Sequence, residues 1–309
     1  MTVTQSKRSV WEQMKSIFLL ALTLSFGLTM SKEVGEYVKE GLELAVRYVI
    51  PTSFPFMIVS DIYVSYGRPE NIRILKGAFC SLFGFSPYCL APFICGNVVG
   101  FPIGAKMCAD CYQRGVITKE EAERLIPLSS NPSCAFVIGG VGMGIWGEMR
   151  VGLLLLLSVY TATILCGVIT RTKRKNGTLN AVYVNKSYDF IASVKDSGLS
   201  SVSIISFISA FSVFNGLVQK RIKSTLILYV FSALSEVTNA IKFYATQSAL
   251  QKEFALVLSA FALGFGGACV GLQSSAFASP SGLKMKKYYL IKLLEGILAA
   301  GVFSILYMI

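Results

Sequence analysis

Charges divide this chain into apolar stretches too long for the core of a soluble domain. Uncharged runs occupy 16–31, 77–105, 125–147, 151–170, 197–219 and 254–283, and shorter apolar segments lie near 48–60, 224–241 and 296–309. A bilayer core of ~30 Å takes about 20 helical residues. Six to nine membrane segments therefore fit the pattern. Hydrophobic residues make up 53% of the chain and charged residues 15%, and the mean hydropathy is +0.60. The fold class is an all-α polytopic membrane protein. The run at 16–31 follows Lys7, Arg8 and Lys15, as a signal peptide would. No small-x-small cleavage site follows it, so 1–35 reads as a retained first span.

The net charge of +12 invites a nucleic-acid partner, but the cations are grouped beside apolar runs. Lys173, Arg174 and Lys175 form one group, Lys220, Arg221 and Lys223 a second, and Lys284, Lys286 and Lys287 a third. Such clusters mark cytoplasmic loops in contact with anionic membrane lipid. No aromatic-interleaved basic face exists apart from the spans, which excludes nucleic acid. Lys7/Arg8, Arg68/Arg73/Lys76 and the cations at 171–175 suggest a cytoplasmic N-terminus and central loop, but the clusters near 173 and 221 flank one clear span, so either that run is re-entrant or one cluster departs from the positive-inside tendency.

The chain has no histidine, which removes Ser-His-Asp and Cys-His catalysis. Its eight cysteines are scattered through apolar sequence, where Cys acts as a small hydrophobe. Cys108 and Cys111 have metal or redox spacing, but a lone pair cannot complete a four-ligand site. The sequence calls for no metal, no cofactor and no catalytic residue. In "VITKEEAERL" at 116–125, Thr118 and Glu121 stand at capping-box spacing. Glu120, Glu121 and Glu123 then serve the helix dipole, and the segment reads as a short solvated helix joining two membrane elements.

The polar segment 171–189 separates a first half, 36–170, from a second, 190–309. Each half opens with an amphipathic stretch, 36–56 and 190–211, expected to lie at the membrane surface before a span. "FICGNVVGFPIGAK" at 93–106 has a counterpart in "FSALSEVTNAIKFY" at 231–244, and "LSSNPSCAFVIGGVGMG" at 128–144 one in "LSAFALGFGGACVGLQSS" at 258–275. Pro102 removes a backbone donor and disfavours helix at Phe101, while Gly96, Gly100 and Gly104 ease departure from the helix. Non-helical backbone at membrane depth survives only where protein buries it or water reaches it. Gly/Pro-interrupted segments at matching places in two halves are the pattern of transporters with a solute site between repeats. The alternative is close packing of straight helices through small residues.

"GFPIGAKMCADCYQRGVITKEEAERLIPLSSNPSCAFVIGGVGMGIWG" at 100–147 resembles the signature of sporulation integral membrane proteins of the YlbJ type, within the nucleoside-recognition (Gate) superfamily. "SALSEVTNAI" at 232–241 and "GFGGACVGLQS" at 264–274 are similar to its second-half motifs. The resemblance implies two pseudo-repeats, inverted, with re-entrant or broken helices, similar in architecture to concentrative nucleoside transporters. It implies a place in the cell membrane or forespore membrane of a spore-forming bacterium, in endospore formation. It also implies a transported solute, because the family includes the carrier of dipicolinic acid across the outer forespore membrane. A nucleoside permease, or a non-transporting organiser of a sporulation complex, are the alternatives.

The candidate solute-binding residues are Asn97, Gly100, Gly104, Lys106, Ser129, Ser130, Asn131, Glu236, Asn239, Gln273 and Ser274. The turns at 97–104 and 131–133 offer helix N-termini whose N–H groups suit an anion. Lys106 is the nearest cation and can instead pair with Asp110 one turn on. Glu236 is an acid deep in apolar sequence, where carboxylates default to function. It can hold a coupling proton or cation, bind a solute hydroxyl, or pair with Lys242 or Lys220. Asn239 is placed on the same helical face. The expected partners are a small-molecule solute and membrane lipid, and a homo-oligomer is compatible with them.

Overall fold

The computed structural model describes residues 31–66, 73–172 and 189–308. The expected first span at 16–31, Arg68 and most of the 171–189 connection lie outside the described residues. Among the described residues all regular structure is helical. The first half begins with α1 (Ser31–Leu44), which passes through a π turn (Ala45–Val49) into α2 (Ile50–Tyr66). Next come α3 (Arg73–Phe83), a 3₁₀ turn (Pro87–Cys89), α4 (Leu90–Val99), α5 (Ile103–Gln113), α6 (Lys119–Leu128), a π-helix (Phe136–Ile145) and α7 (Met149–Ile169). The second half has α8 (Phe190–Arg221), α9 (Thr225–Ser235), α10 (Val237–Thr246), α11 (Lys252–Phe265), α12 (Gly267–Ala278) and α13 (Lys286–Met308).

Among the described residues, five helical runs are long and apolar enough to cross a bilayer: Lys32–Val59, Met149–Ile169, Phe190–Arg221, Lys252–Ser281 and Lys286–Met308. The pair α3–α4, bent by 99°, makes a sixth if it is one span. Exposed Leu153, Leu157 and Ile164 on α7 and Leu199 and Val202 on α8 form the outward faces that lipid covers. The inward faces are small and polar: Ser158, Ala162 and Thr163 on α7, and Ser197, Ser201 and Ser212 on α8, are all buried. Lipid is as apolar as leucine, so helices here associate through close packing and hydrogen bonds.

Two expectations are corrected. The amphipathic stretches 36–56 and 190–211 are not separate surface helices, because each runs unbroken into the apolar sequence after it. α1 packs along α8 through Tyr37 and Gly41, while the charged side chains Glu36, Lys39, Glu40, Glu43, Lys195 and Asp196 stay exposed. Nor is the segment at 116–125 a solvated helix. Its capping box is present, with Glu121 N donating to Thr118 Oγ1 (3.2 Å) and Thr118 N to Glu121 Oε2 (3.0 Å). Yet Ala122, Leu125 and Ile126 are buried, and Arg124 is only 6% exposed. Arg124 Nη1 donates to the carbonyls of Phe83 (2.8 Å) and Thr170 (3.1 Å), and its guanidinium lies 3.6 Å from the Phe85 ring centroid. Glu121 Oε1 accepts from Ser86 N (2.7 Å). These charged groups tie α6 to the elements around it.

Apart from α3 and the 3₁₀ turn, which have no counterpart among the described residues of the second half, each half follows one order: a long helix, two interrupted helices, a long helix. The interruptions fall at 100–102 and 129–135, and again at 236 and 266. Within each half they touch one another. A Cβ on Gly100 would stand 2.7 Å from Ser133 N, and one on Gly267 would stand 2.7 Å from the Ser235 carbonyl oxygen. Gly100 has φ 96°, and Gly266 and Gly267 have φ 81° and 75°, values that suit glycine alone. Gly104 permits the closest approach, because its Cβ would fall 1.9 Å from the Ser129 carbonyl oxygen. The first helices of the halves, α1 and α8, pack together, and so do the last, α7 and α13.

This packing gives a direct stability test. Gly100→Ala and Gly104→Ala should each destabilise the detergent-purified protein by about 1–3 kcal/mol or more through backbone strain and overpacking. Gly35 meets nothing within 4 Å on α1, so Gly35→Ala should leave the unfolding midpoint unchanged or raise it. Thermal unfolding by intrinsic fluorescence distinguishes the two groups.

Candidate functional site

The interruptions from both halves meet at one internal cavity. Its wall is made by Val49, Ser53, Val99, Gly100, Phe101, Ser133 and Phe136 from the first half and by Ile204, Ile208, Glu236, Thr238, Val270 and Gln273 from the second. It holds about 20 Å³ for the centre of a water-sized sphere, room for one or two waters. Four helices restart beside it: α5 after Pro102, the π-helix after Ser133, α10 after Glu236 and α12 after Gly266. Helix N-termini carry free N–H groups and partial positive charge. Ser133 Oγ accepts one of these, from Phe136 N (3.1 Å). Glu236 accepts two more at α10, from Thr238 N on Oε1 (2.9 Å) and Asn239 N on Oε2 (2.7 Å).

Glu236 is therefore extended (φ −147°, ψ 129°) and caps α10, rather than lying within a helix. Asn239 does not share a helical face with it, but folds back so that its Nδ2 donates to Glu236 Oε2 (2.8 Å). Among the described residues Glu236 pairs with neither Lys220 nor Lys242: Lys220 bonds Glu33 on α1, and Glu236 accepts from Thr238 and Asn239 instead. The competing ion-pair expectation gives way because helix-terminal N–H groups at hand satisfy a buried carboxylate more cheaply than a distant lysine.

The other candidates separate by place. Gly100, Glu236 and Gln273 line the cavity. Asn239 stands behind Glu236. Gly104 packs on Ser129, whose hydroxyl donates back to Leu125 O (2.9 Å) and lies 3.4 Å from Cys108 Sγ. Ser274 Oγ donates to Ser130 Oγ (3.3 Å), joining the halves. Lys106 is half-buried and lies off the cavity wall. Cys108 and Cys111 are not joined by a disulfide, and no cluster of metal-ligating side chains occurs among the described residues.

Asn97 and Asn131 belong to a buried network that the sequence reading missed. Asn97 Nδ2 donates to the carbonyls of Phe93 (2.8 Å) and Leu128 (3.0 Å), and Tyr160 Oη donates to Asn97 O (2.5 Å). Asn131 Nδ2 donates to Asn97 Oδ1 (2.8 Å) and Thr163 Oγ1 (2.9 Å). From α13, Lys292 Nζ donates to Asn131 Oδ1 (2.7 Å) and to Glu295 Oε2 (3.0 Å). Thr163 Oγ1 donates to Glu295 Oε1 (2.7 Å). Lys292 and Glu295 are both fully buried. Their signal was present, since Lys292 and Glu295 stand three apart with opposite charge inside an otherwise apolar run. Using charges as segment boundaries placed the last apolar segment after Glu295.

A larger groove of about 650 Å³ lies elsewhere, lined by Lys119, Glu123, Arg124, Thr170, Lys284 and Lys287 among others. None of the eleven candidate residues lines it.

The chain is 25% identical to the sporulation integral membrane protein YlbJ of Bacillus subtilis (strain 168), over 86% of this chain and 75% of that protein. No family model matches the chain, and no solved structure matches it at a significant level. The similarity and the span-length helices together make this a multi-pass integral membrane protein related to a sporulation protein.

The buried pair predicts a non-additive result. Lys292→Met or Glu295→Gln alone leaves a charge without its partner and should cost about 3–5 kcal/mol. The double variant Lys292→Met/Glu295→Met should unfold at a higher temperature than the Lys292→Met single variant, as measured by thermal denaturation in one detergent.

Proposed function

We propose that this YlbJ-type membrane protein is a transporter of a small polar or anionic solute, bound between its two halves where the interrupted helices meet. The observation that carries this reading is that Gly100, Phe101 and Ser133 share one cavity wall with Glu236, Thr238 and Gln273. Converging half-helix N-termini are a known means of holding polar and anionic groups without burying bare cations. Such a site requires positioning and no covalent chemistry, so no enzyme activity is assigned.

Dipicolinic acid is the specific candidate, since a flat dianion suits helix N-termini. Among the described residues the wall contains one carboxylate, Glu236, and no cation. A dianion next to Glu236 requires that carboxyl to be neutral, which makes proton or cation coupling at Glu236 part of this assignment. A nucleoside is the alternative cargo, because its hydroxyls can donate to Glu236 in the charged form. The small cavity favours a second reading, in which the polar groups only hold helices together in a sporulation complex. Alternating access answers that objection, because a closed conformation shrinks the site and the halves part to admit solute.

Reconstituted proteoliposomes test the assignment. Wild type should take up labelled dipicolinate or uridine, and Gly35→Ala should match it. Glu236→Gln puts a donor amide where two backbone N–H groups need an acceptor, and should lower flux at least tenfold and alter its pH dependence. Monodisperse wild-type protein that moves neither solute would overturn the transporter reading.

A further inference from the structure

Beyond the cavity, α8 carries a line of buried polar groups for which the protein supplies few partners. Ile204 and Ile208 of α8 belong to the cavity wall. The next turns on that side bring Ser209, Ser212 and Asn215. Ser212 Oγ accepts from Asn239 Nδ2 (2.9 Å), whose amide also donates to Glu236 Oε2. This joins the line to the cavity wall.

Asn215 is 2% exposed, yet neither its Nδ2 nor its Oδ1 has a hydrogen-bond partner among the described residues. The buried hydroxyl of Ser209 has none either, nor do those of Ser232 and Ser235 on α9. The α9 helix lies against this part of α8, with the Phe214 and Phe231 ring centroids 5.3 Å apart. On the other side α1 runs antiparallel to α8. Gly41 faces Ser209 and Ser212, Tyr37 faces Gly216, and Glu33 bonds Lys220. The second carboxylate oxygen of Glu33 is also buried and unpaired. From Ile208 to Lys220 is twelve residues, about 18 Å along a helix axis. The line therefore runs from the cavity to the charged end of α8, where Lys220, Arg221 and Lys223 mark a membrane face.

A buried amide without partners is costly, and polar side chains inside membrane bundles characteristically line water. Buried water normally sits where two to four such groups converge. From these contacts we infer that α8, flanked by α1 and α9, lines a hydrated path joining the Glu236 cavity to the membrane face at Glu33 and Lys220. The path takes water and, resting on the transporter reading, serves as the route of a polar solute on that side.

Thiol accessibility tests the path without measuring transport. Ser209→Cys, Ser212→Cys and Asn215→Cys are made singly, with Val202→Cys as the comparison. Val202 is 61% exposed on the lipid-facing side of the same helix. Each protein, reconstituted in liposomes, is treated with aminoethyl methanethiosulfonate, which reacts with thiolates in water. Modification at each position is read by peptide mass spectrometry, which separates it from the native cysteines. At least tenfold faster modification at the folded line positions than at 202 is expected. Modification no faster than at 202 in monodisperse protein overturns the path. Labelling is independent of the proteoliposome uptake assay, so rapid labelling in protein that shows no uptake there would sink the transporter reading alone, and uptake there with no labelling would sink the path alone.

Discussion

Helices that stop and restart inside a membrane bundle leave N–H and C=O groups that hydrocarbon cannot satisfy. Much of this structure follows from meeting that demand. Phe101 N donates to Asn131 O (2.9 Å), so one interruption of the first half supplies the acceptor for the other. In the second half Glu236 supplies both oxygens to the start of α10. The glycines at 100 and 267 make these meetings possible, because a side chain at either position would collide with the opposite strand of backbone. Close approach and satisfied backbone are thus one constraint.

The same demand explains why charge is buried in α13. Asn131 sits in the non-helical stretch between α6 and the π-helix, and its side chain must be held if that stretch is to keep one conformation. Lys292 fixes the amide oxygen, Asn97 and Thr163 take the amide hydrogens, and Glu295 balances Lys292. A buried ion pair adds little net stability compared with apolar packing, but it penalises any arrangement that separates its members. Here the members lie on α13 and bind groups on α7 and on the interruption after α6. The pair therefore ties the last helix of the second half to the broken element of the first.

How much of this was legible in the sequence depended on whether the signal was local. Interruption at 100–102 could be read from Gly100 and Pro102, because their backbone limits need no tertiary context. The capping box at Thr118 and Glu121 was legible for the same reason. The burial of α6 was not, since it depends on tertiary partners distant in sequence: the core that takes Ala122, Leu125 and Ile126, and the Phe83 and Thr170 carbonyls that Arg124 reaches. Glu236 stood out as an intramembrane acid, but its role as a cap required knowing that the helix breaks at that residue. Lys292 and Glu295 escaped notice because charges were treated as the ends of apolar segments. In a bundle with polar interruptions to satisfy, a charge can belong inside one.

The balance of charge at the cavity follows from the placement of helix ends. Four helices restart beside it, each contributing partial positive charge of order half a unit before screening. Glu236 is the only charged side chain on the wall among the described residues. Its carboxylate is held by N–H groups of one terminus, so much of its charge is matched locally by α10. The termini of α5, the π-helix and α12 then remain to set the potential at the cavity. Such a wall carries positive potential without the desolvation cost of burying a lysine there. Lys292 fits that economy: the one fully buried lysine among the described residues is turned to Asn131 and Glu295, away from the cavity wall.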